Sequence, residues 1–128
     1  MAEHGAFIWN ELMTRDVEGA KAFYASVLGW GADVVDVGVG PYVLFKAGDT
    51  VVGGAMAMTE PQFDGIPPHW FAYVNVDDVD ASTAAVAAAG GMVIRPPFDI
   101  PTVGRIAIVQ DSTGAALGLM TPVPCDDH

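Results

Sequence analysis

Cysteine and positive charge are scarce in this sequence. Cys125 is the single cysteine among 128 residues, so no disulfide can form within the chain, and a free thiol points to a reducing compartment. Five residues are Lys or Arg against 16 Asp and Glu, which gives a formal net charge of −11. Nucleic acid and anionic membrane surfaces need clustered positive charge, so the composition excludes both as partners.

Long apolar runs are also missing. The longest extends from Ala84 to Ile94, includes two glycines, and falls well short of the roughly 18 residues that span a membrane. The opening residues, Met-Ala-Glu-His-Gly, lack the basic segment and apolar stretch of a secretory signal. We therefore expect a soluble, cytoplasmic protein.

The sequence does contain an internal duplication. Residues 9–16 read WNELMTRD and residues 71–78 read FAYVNVDD, so Asp16 and Asp78 stand 78 − 16 = 62 positions apart. In each copy, strand-like alternation ends at the aspartate and a helical stretch begins. Two copies of such a long unit predict two similar half-modules that share one core rather than a solenoid.

Both helices have recognisable start and stop signals. An aspartate at the first position can accept the unpaired backbone N–H groups of a first turn. Glycines at the matching offset, Gly29 and Gly91, can adopt the left-handed conformation that ends a helix. These signals predict helices at 17–28 and 79–90.

Alternating segments predict one strand before each helix and three after it, which gives the order βαβββ twice and an α+β fold. Residues 96–101 read Pro-Pro-Phe-Asp-Ile-Pro and are too rich in proline for a strand, so we expect a shaped loop there. The predicted strands cover 7–13, 32–37, 42–46, 51–58, 69–76, 92–95, 105–110 and 115–121.

The length predicts a single domain, residues 1–128. Within it we expect a βαβββ module at 6–59, a proline-containing linker at 60–68 and a second module at 69–122.

Three motifs within residues 7–122 carry a family resemblance. They are Asp-Val-Glu-Gly-Ala-Lys-Ala-Phe-Tyr from residue 16, Leu-Gly-Trp from residue 28 and Val-Asp-Asp-Val-Asp-Ala from residue 76. The chain resembles the vicinal oxygen chelate superfamily, which includes glyoxalase I, bleomycin and fosfomycin resistance proteins and extradiol dioxygenases. The resemblance implies that the strands of two modules form a cup with the helices outside.

Further motifs are similar to a glyoxalase-like subgroup, which includes mycobacterial and actinobacterial proteins with two such domains in tandem. They are Pro-Pro-His-Trp at 67–70, the proline-rich segment at 96–101, and Gly-Arg-Ile-Ala at 104–107.

The resemblance also implies where metal ligands would stand. The superfamily's first ligand position maps to Trp9, its counterpart in the second module to Phe71, and the last-strand position to Gly118. The remaining segment, 51–58, has no His, Glu, Gln or Asp. The usual ligand set is absent, so we expect no metal and no cofactor, apart from a residual two-ligand site that Glu11 and His69 could form.

Strand alternation places the candidate pocket residues on one face of the cup. Glu11 and His69 are the candidate catalytic groups, and the other pocket residues are Trp9, Met13, Phe71, Tyr73, Asn75 and Gly118. A mostly apolar surface with few polar groups is typical of a small-molecule site.

Two interpretations stay open for each candidate catalytic group. A poorly solvated Glu11 suits a general acid or base, but it could instead pair with Arg95 or Arg105. His69 could be a hydrogen-bond donor or proton shuttle at the rim, or it could be structural, packed on Trp70 or bonded to loop backbone. We also expect Trp70 to be plain core and Asp99 to pair with Arg105, fastening the proline-rich segment.

Three functions remain. The first is a metal-independent protein that binds a small apolar or carbonyl-containing molecule. The second is a glyoxalase-like lyase or isomerase that uses Glu11 and His69 for proton transfer. The third is a structural module whose own side chains fill the cup. We expect a homodimer, because a chain this small with 52% hydrophobic residues has apolar surface to cover.

Overall fold

The computed structural model describes residues 3–36, 41–58, 65–100 and 103–122. The described residues follow the order βαβββ twice, which confirms the predicted α+β fold. The elements are β1 (Phe7–Thr14), α1 (Val17–Leu28), β2 (Gly31–Asp36), β3 (Pro41–Ala47), β4 (Thr50–Ala57), β5 (His69–Asn75), α2 (Val79–Ala84), β6 (Met92–Ile100), β7 (Gly104–Gln110) and β8 (Ala116–Pro122).

The chain divides into two compact units. Unit 1 comprises Met1–Ile8 and Ala72–His128, and unit 2 comprises Trp9–Phe71, so the divisions fall inside β1 and β5. The module and linker boundaries expected from the sequence stay a prediction, and part of the linker lies outside the described residues. No helix in the described part of the chain is long and apolar enough to cross a membrane.

Unit 2 is a sheet with strand order β2-β3-β4-β1 and α1 against one face. β1 and β4 run parallel with Glu11 opposite Gly54, whereas β2, β3 and β4 are antiparallel neighbours. Its buried core comprises Leu12, Val43, Phe45 and Ala55, against which α1 packs Val17, Ala20 and Tyr24.

The bounds predicted for α1 are confirmed. The Asp16 carboxylate accepts a hydrogen bond of 2.8 Å from the backbone N–H of Gly19. Gly29 ends the helix in the left-handed conformation with φ of 73°. A residue without Cβ adopts this conformation at no steric cost, which explains the stop.

Unit 1 repeats this plan with strand order β5-β8-β7-β6. β5 and β8 run parallel with Tyr73 opposite Gly118, and the remaining neighbours are antiparallel. Its buried core comprises Val76, Val79, Ala107, Val109 and Leu119, so α2 packs on the sheet face that carries Leu119.

The prediction for α2 is right at its start and wrong at its end. Asp78 caps the helix as expected, but the α-helix stops at Ala84 and residues 85–90 form turns. Several of the turn bonds connect residues three apart, including Val86 N–H to the Thr83 carbonyl at 3.1 Å. Thr83 and Val86 are β-branched and crowd a regular helix, and the Thr83 hydroxyl competes by bonding the Val79 carbonyl.

The glycine that reverses the chain after α2 is Gly90, with φ of 91°, rather than the predicted Gly91. Gly91 has a different role, since a Cβ there would collide with the carbonyl oxygen of Gln110 in β7. It lacks a side chain because two backbones approach closely.

The prediction of a loop at 96–101 is wrong for its described part, because β6 continues to Ile100. β6 is at the edge of the sheet and pairs only with β7 in the described structure. Its register shifts between Arg95 and Phe98, which is where Pro96 and Pro97 stand. An edge position and a bulge are the two places where a strand tolerates proline. Pro101 lies outside the described residues.

Trp70 was predicted to be a buried core residue, and this prediction is wrong. It contacts an aromatic cluster with Tyr24, Trp30 and Phe45 on the α1 face, but it stays 40% exposed. Its indole N–H donates to the Tyr24 hydroxyl at 3.0 Å. An indole with an unsatisfied N–H is costly to bury, so a partner at the surface suits this side chain.

Candidate functional site

The two faces of the unit 2 sheet carry different chemistry. Leu12 belongs to the core under α1, so by strand alternation Trp9, Glu11 and Met13 lie on the opposite face. Trp70 lies on the α1 side, which places His69 and Phe71 on that opposite face as well. We call it the far face of unit 2. The structure therefore brings five of the eight predicted site residues onto one surface.

A buried carboxylate is the central feature of the far face. Glu11 is 8% exposed, and its Oε2 accepts a hydrogen bond of 2.7 Å from the Tyr42 hydroxyl. The same hydroxyl accepts a hydrogen bond of 2.9 Å from the indole N–H of Trp9. We call these three residues the polar chain. A buried charge is tolerated only when it is hydrogen-bonded, and the phenol supplies one such bond.

Tyr42 reaches Glu11 because β4 has a glycine between them. Gly54 lies opposite both Glu11 of β1 and Leu44 of β3, so the Tyr42 side chain crosses over it from β3, on the other side of β4 from β1. A Cβ on Gly54 would overlap the ring and hydroxyl of Tyr42. The glycine is thus a requirement of the polar chain, in keeping with glycine's role where another group approaches a strand closely.

The environment keeps the Tyr42 phenol protonated. Burial is the largest cause that raises its pKa, the charge and hydrogen bond of Glu11 raise it further, and the Trp9 hydrogen bond opposes them. A phenol that stays protonated can donate a hydrogen bond, and Glu11 accepts it.

Tyr42 was missed in the sequence prediction. It stands 31 residues from Glu11 and 33 from Trp9, so no local pattern connects them. The available signal was Gly53-Gly54 inside a predicted strand, which marks a close approach by another group.

The arginines proposed as partners for Glu11 have other partners. The Arg105 guanidinium donates to Asp80 of α2 at 2.8 and 3.0 Å and to Asp99 of β6 at 3.1 Å. Arg95 lies 3.6 Å from the ring centroid of Phe98. The predicted Asp99–Arg105 pair is confirmed, and Asp80 is the partner that sequence reasoning missed.

His69 is bonded to loop backbone, one of its two predicted interpretations. Its Nδ1 lies 2.9 Å from the carbonyl oxygen of Pro67. Because a carbonyl only accepts, Nδ1 carries the proton, and in the neutral ring Nε2 is then the acceptor. The imidazole also contacts Phe71 edge-on, with ring centroids 6.2 Å apart. Pro67 borders an open depression of about 430 Å³ that Arg15, Gly65 and Ile66 also line.

The other three predicted residues belong to unit 1. Tyr73 and Asn75 are buried, and the Tyr73 ring lies where a side chain on Gly118 would stand. The Asn75 amide donates to the Glu3 carbonyl at 3.1 Å, and its backbone bonds to Gly5 and Ala6. Asn75 therefore fastens the N-terminal segment, a structural contact that its position in the duplicated motif did not predict.

The residues at the implied ligand positions do not fit a divalent metal. Trp9 and Phe71 offer no metal-binding atom, and the Tyr73 ring takes the space at Gly118. In β4 the residue opposite Glu11 is a glycine covered by Tyr42. Within the ranges that the structure describes, no three His, Cys, Asp or Glu residues are grouped so as to hold an ion.

Comparison with known proteins gives consistent family matches. Residues 6–119 match the family model described as Glyoxalase/Bleomycin resistance protein/Dioxygenase superfamily. The chain is 46% identical over 123 residues to "Putative glyoxylase CFP32" of Mycobacterium tuberculosis, covering 95% of this chain and 46% of that protein. It is 35% identical over 130 residues to the anthracycline biosynthesis protein DnrV of Streptomyces peucetius, covering 90% and 46%. The chain thus spans about half the length of these curated relatives.

Solved structures share the fold at low identity. Methylmalonyl-CoA epimerase from Mycobacterium tuberculosis superposes with a TM-score of 0.66 at 17% identity, covering 97% of this chain and 93% of the epimerase. Hypothetical protein BH1468 from Bacillus halodurans gives 0.71 at 13% identity, covering 98% and 100%.

Proposed function

This chain belongs to the glyoxalase/bleomycin resistance protein/dioxygenase superfamily, and from that premise we propose that it binds a small, largely apolar molecule on the far face of unit 2 without a metal. The observation that carries the proposal is the buried Glu11 carboxylate, which Tyr42 and Trp9 hold in a defined hydrogen-bonded geometry. The ligand would pack on the aromatic side chains of this face and meet Glu11 as its polar anchor.

The composition of the far face supports binding. Trp9, Met13 and Phe71 are apolar surfaces, and the polar groups beside them are few and fixed in orientation. Small-molecule sites combine these two properties, because apolar contact supplies affinity while sparse polar groups orient the ligand. Trp9 and Phe71 also keep part of their surface exposed.

Metal independence is supported by the donor chemistry. The superfamily's metalloenzymes use an ion to polarise a substrate oxygen, and the residues at the matching places here are an indole, a phenyl ring and a glycine. A hydrogen-bonded carboxylate binds ligands by a different means, through directional hydrogen bonds and charge.

A second candidate function is a glyoxalase-like lyase or isomerase, as the name of the mycobacterial relative suggests. The observation in its favour is that two bases lie on the far face. In an isomerase, either the Glu11 carboxylate or the Nε2 atom of His69 would take a proton from carbon next to a carbonyl group, and the acid so formed would return that proton to another atom of the resulting enolate.

Substitutions of Trp9 and Glu11 test the proposal. Small aromatic compounds that raise the melting temperature of the wild type by mass action should no longer do so in Trp9→Ala, which lacks the apolar wall. Trp70→Phe, on the opposite face, is the matched control and should bind as the wild type does. Equal binding to the Trp9→Ala protein would show that the far face is not the site.

Glu11→Gln then separates the two functions. The amide preserves the shape of the side chain but cannot take up a proton, so a binding protein should keep most of its affinity. An enzyme should lose turnover by about 100-fold or more, measured with any compound that the wild type converts.

We also propose that the chain forms a homodimer. The outward side of α1 supports this, since Phe23, Val27 and Leu28 are 57%, 59% and 53% exposed. Exposed apolar groups that cluster on one helix are typical of an interaction surface. Light scattering at micromolar concentration should give twice the chain mass, and a monomeric mass would contradict the proposal.

A further inference from the structure

We infer that Tyr42 is the positioning residue of the far-face site: its hydroxyl holds the Trp9 indole in the orientation against which a ligand packs. Tyr42 is buried and acts through Trp9 rather than by touching the ligand. The inference rests on the proposed function and deepens it, because it names the residue that fixes the apolar wall of the site.

The Tyr42 hydroxyl is held by two partners on β1. An indole N–H can only donate, so the phenol oxygen accepts from Trp9 at 2.9 Å, and the phenol proton goes to Glu11 at 2.7 Å. Tyr42 belongs to β3, and β4 lies between β3 and β1 in the sheet. The hydroxyl thus fixes the Trp9 side chain to a strand that is not its neighbour.

A second indole–phenol pair, on the α1 side of the sheet, shows what is particular to Trp9. The Trp70 N–H donates to the Tyr24 hydroxyl at 3.0 Å, and the Trp70 ring also packs against three aromatic rings with centroids 5.7 to 6.3 Å away. Among the residues that the structure describes, Trp9 has no ring contact of this kind. Packing therefore holds Trp70, whereas the orientation of Trp9 depends on Tyr42.

A fixed indole makes ligand binding more favourable. Trp9 is only partly buried, so without the hydrogen bond its side chain would lose rotational freedom when a ligand packs on it. Immobilising one such side chain weakens binding by a factor of about three to ten. Because Tyr42 orders the indole during folding, the wall is already in place when the ligand arrives.

Tyr42→Phe tests the inference, because it keeps the ring over Gly54 and removes only the hydroxyl. The probes are 2-phenylethanol and indole, and the tryptophan indole N–H resonances of labelled protein are followed during titration. Trp9→Phe and Trp70→Phe assign the resonances. Before any probe is added, the Trp9 N–H of Tyr42→Phe should shift and exchange faster with water. Affinity for both probes should fall about three- to tenfold.

Two further variants separate positioning from a general structural effect. Tyr24→Phe is the matched control and should change the Trp70 resonance, while the Trp9 resonance and both affinities stay as in the wild type. In Gly54→Ala the new Cβ would overlap the ring and hydroxyl of Tyr42, which displaces the hydroxyl without removing it. We expect the same change at Trp9 and the same loss of affinity. A variant that is merely less stable would show neither in its folded fraction.

A double-mutant cycle tests whether Tyr42 acts through Trp9 or through Glu11. In a Trp9→Phe background no indole N–H is present, so adding Tyr42→Phe should cause no further loss of affinity, followed by the backbone amide resonances of β1. A full additional loss in that background would mean that Tyr42 acts through Glu11, and it would overturn the inference.

The remaining outcomes separate the inference from the proposed function. If the probes bind Tyr42→Phe as tightly as the wild type and still shift the Trp9 resonance, the positioning role is overturned and the far-face site stands. If neither probe shifts the Trp9 resonance of the wild type at about 10 mM, the proposed function is overturned and the inference with it.

Discussion

Each of the two units packs a tyrosine ring over a glycine, but the residues that face the two glycines differ. In unit 2, Glu11 of β1 faces Gly54 of the parallel strand β4, and in unit 1, Tyr73 of β5 faces Gly118 of the parallel strand β8. Each glycine makes room for a tyrosine ring. The ring over Gly54 comes from Tyr42 on β3, whereas the ring over Gly118 is that of Tyr73 itself.

The two units differ in which strand supplies the tyrosine ring, and this decides whether the residue facing the glycine can be a carboxylate. Because Tyr42 belongs to β3, the position in β1 that faces Gly54 is available for a carboxylate, and the tyrosine hydroxyl is its donor. In unit 1 the position that faces the glycine is Tyr73, whose own ring fills the space over Gly118. The shared glycine is a packing requirement, and the carboxylate is the element that gives unit 2 a candidate site.

The largest expected effect comes from filling the space at Gly118. In Gly118→Ala the new Cβ overlaps the part of the Tyr73 ring nearest its own backbone, which cannot swing away. Overpacking of this kind should lower the free energy of unfolding by about 2–3 kcal/mol, measured by urea denaturation. Gly54→Ala should cost less, because the atoms it meets are at the mobile end of Tyr42. Equal costs would show that the two glycines are interchangeable.

A smaller effect is expected from Tyr42→Phe, which removes the phenol donor from Glu11. Hydrogen bonds to buried charged groups are worth more than neutral ones, so we expect a loss of about 1.5 kcal/mol in the free energy of unfolding. Tyr24→Phe is the matched control, since Tyr24 also accepts an indole N–H, from Trp70 at 3.0 Å. The Tyr24 hydroxyl pairs with an indole at the surface, so Tyr24→Phe should lower the free energy of unfolding by clearly less. A larger loss in Tyr24→Phe would contradict the central role of the carboxylate.

The sequence predicted the parts of this comparison that depend on local signals. The aspartate caps and Gly29 set the limits of α1, and strand alternation placed Glu11 and Trp9 on one face. Tyr42 could not be found by comparing the repeats, because 42 + 62 = 104 and Gly104 stands at the matching place. The continuation of β6 through Pro96 was missed because an edge position is a property of the assembled sheet.

The smallest effect concerns the ion pair that ties α2 to β7. The hydrogen bond from Arg105 is the main cause that lowers the pKa of Asp80. A carboxyl whose folded pKa is lowered stabilises the fold above its ordinary pKa and loses that contribution as pH falls below about 4. Asp80→Asn should therefore be slightly less stable than the wild type at pH 7, by urea denaturation, and the difference should shrink as pH falls below about 4. A difference that persists at low pH would mean that Asp80 acts through packing.

The most direct test of the account is the metal content of protein purified without chelator, measured by native mass spectrometry with elemental analysis. We propose that the far face of unit 2 needs no metal, because the Tyr42 hydroxyl bonds Glu11 and the Tyr42 ring covers Gly54. We therefore expect well under one equivalent of Zn, Ni, Fe or Mn, and no rise in melting temperature when these ions are added. Stoichiometric metal that disappears in Glu11→Ala or His69→Ala would contradict it.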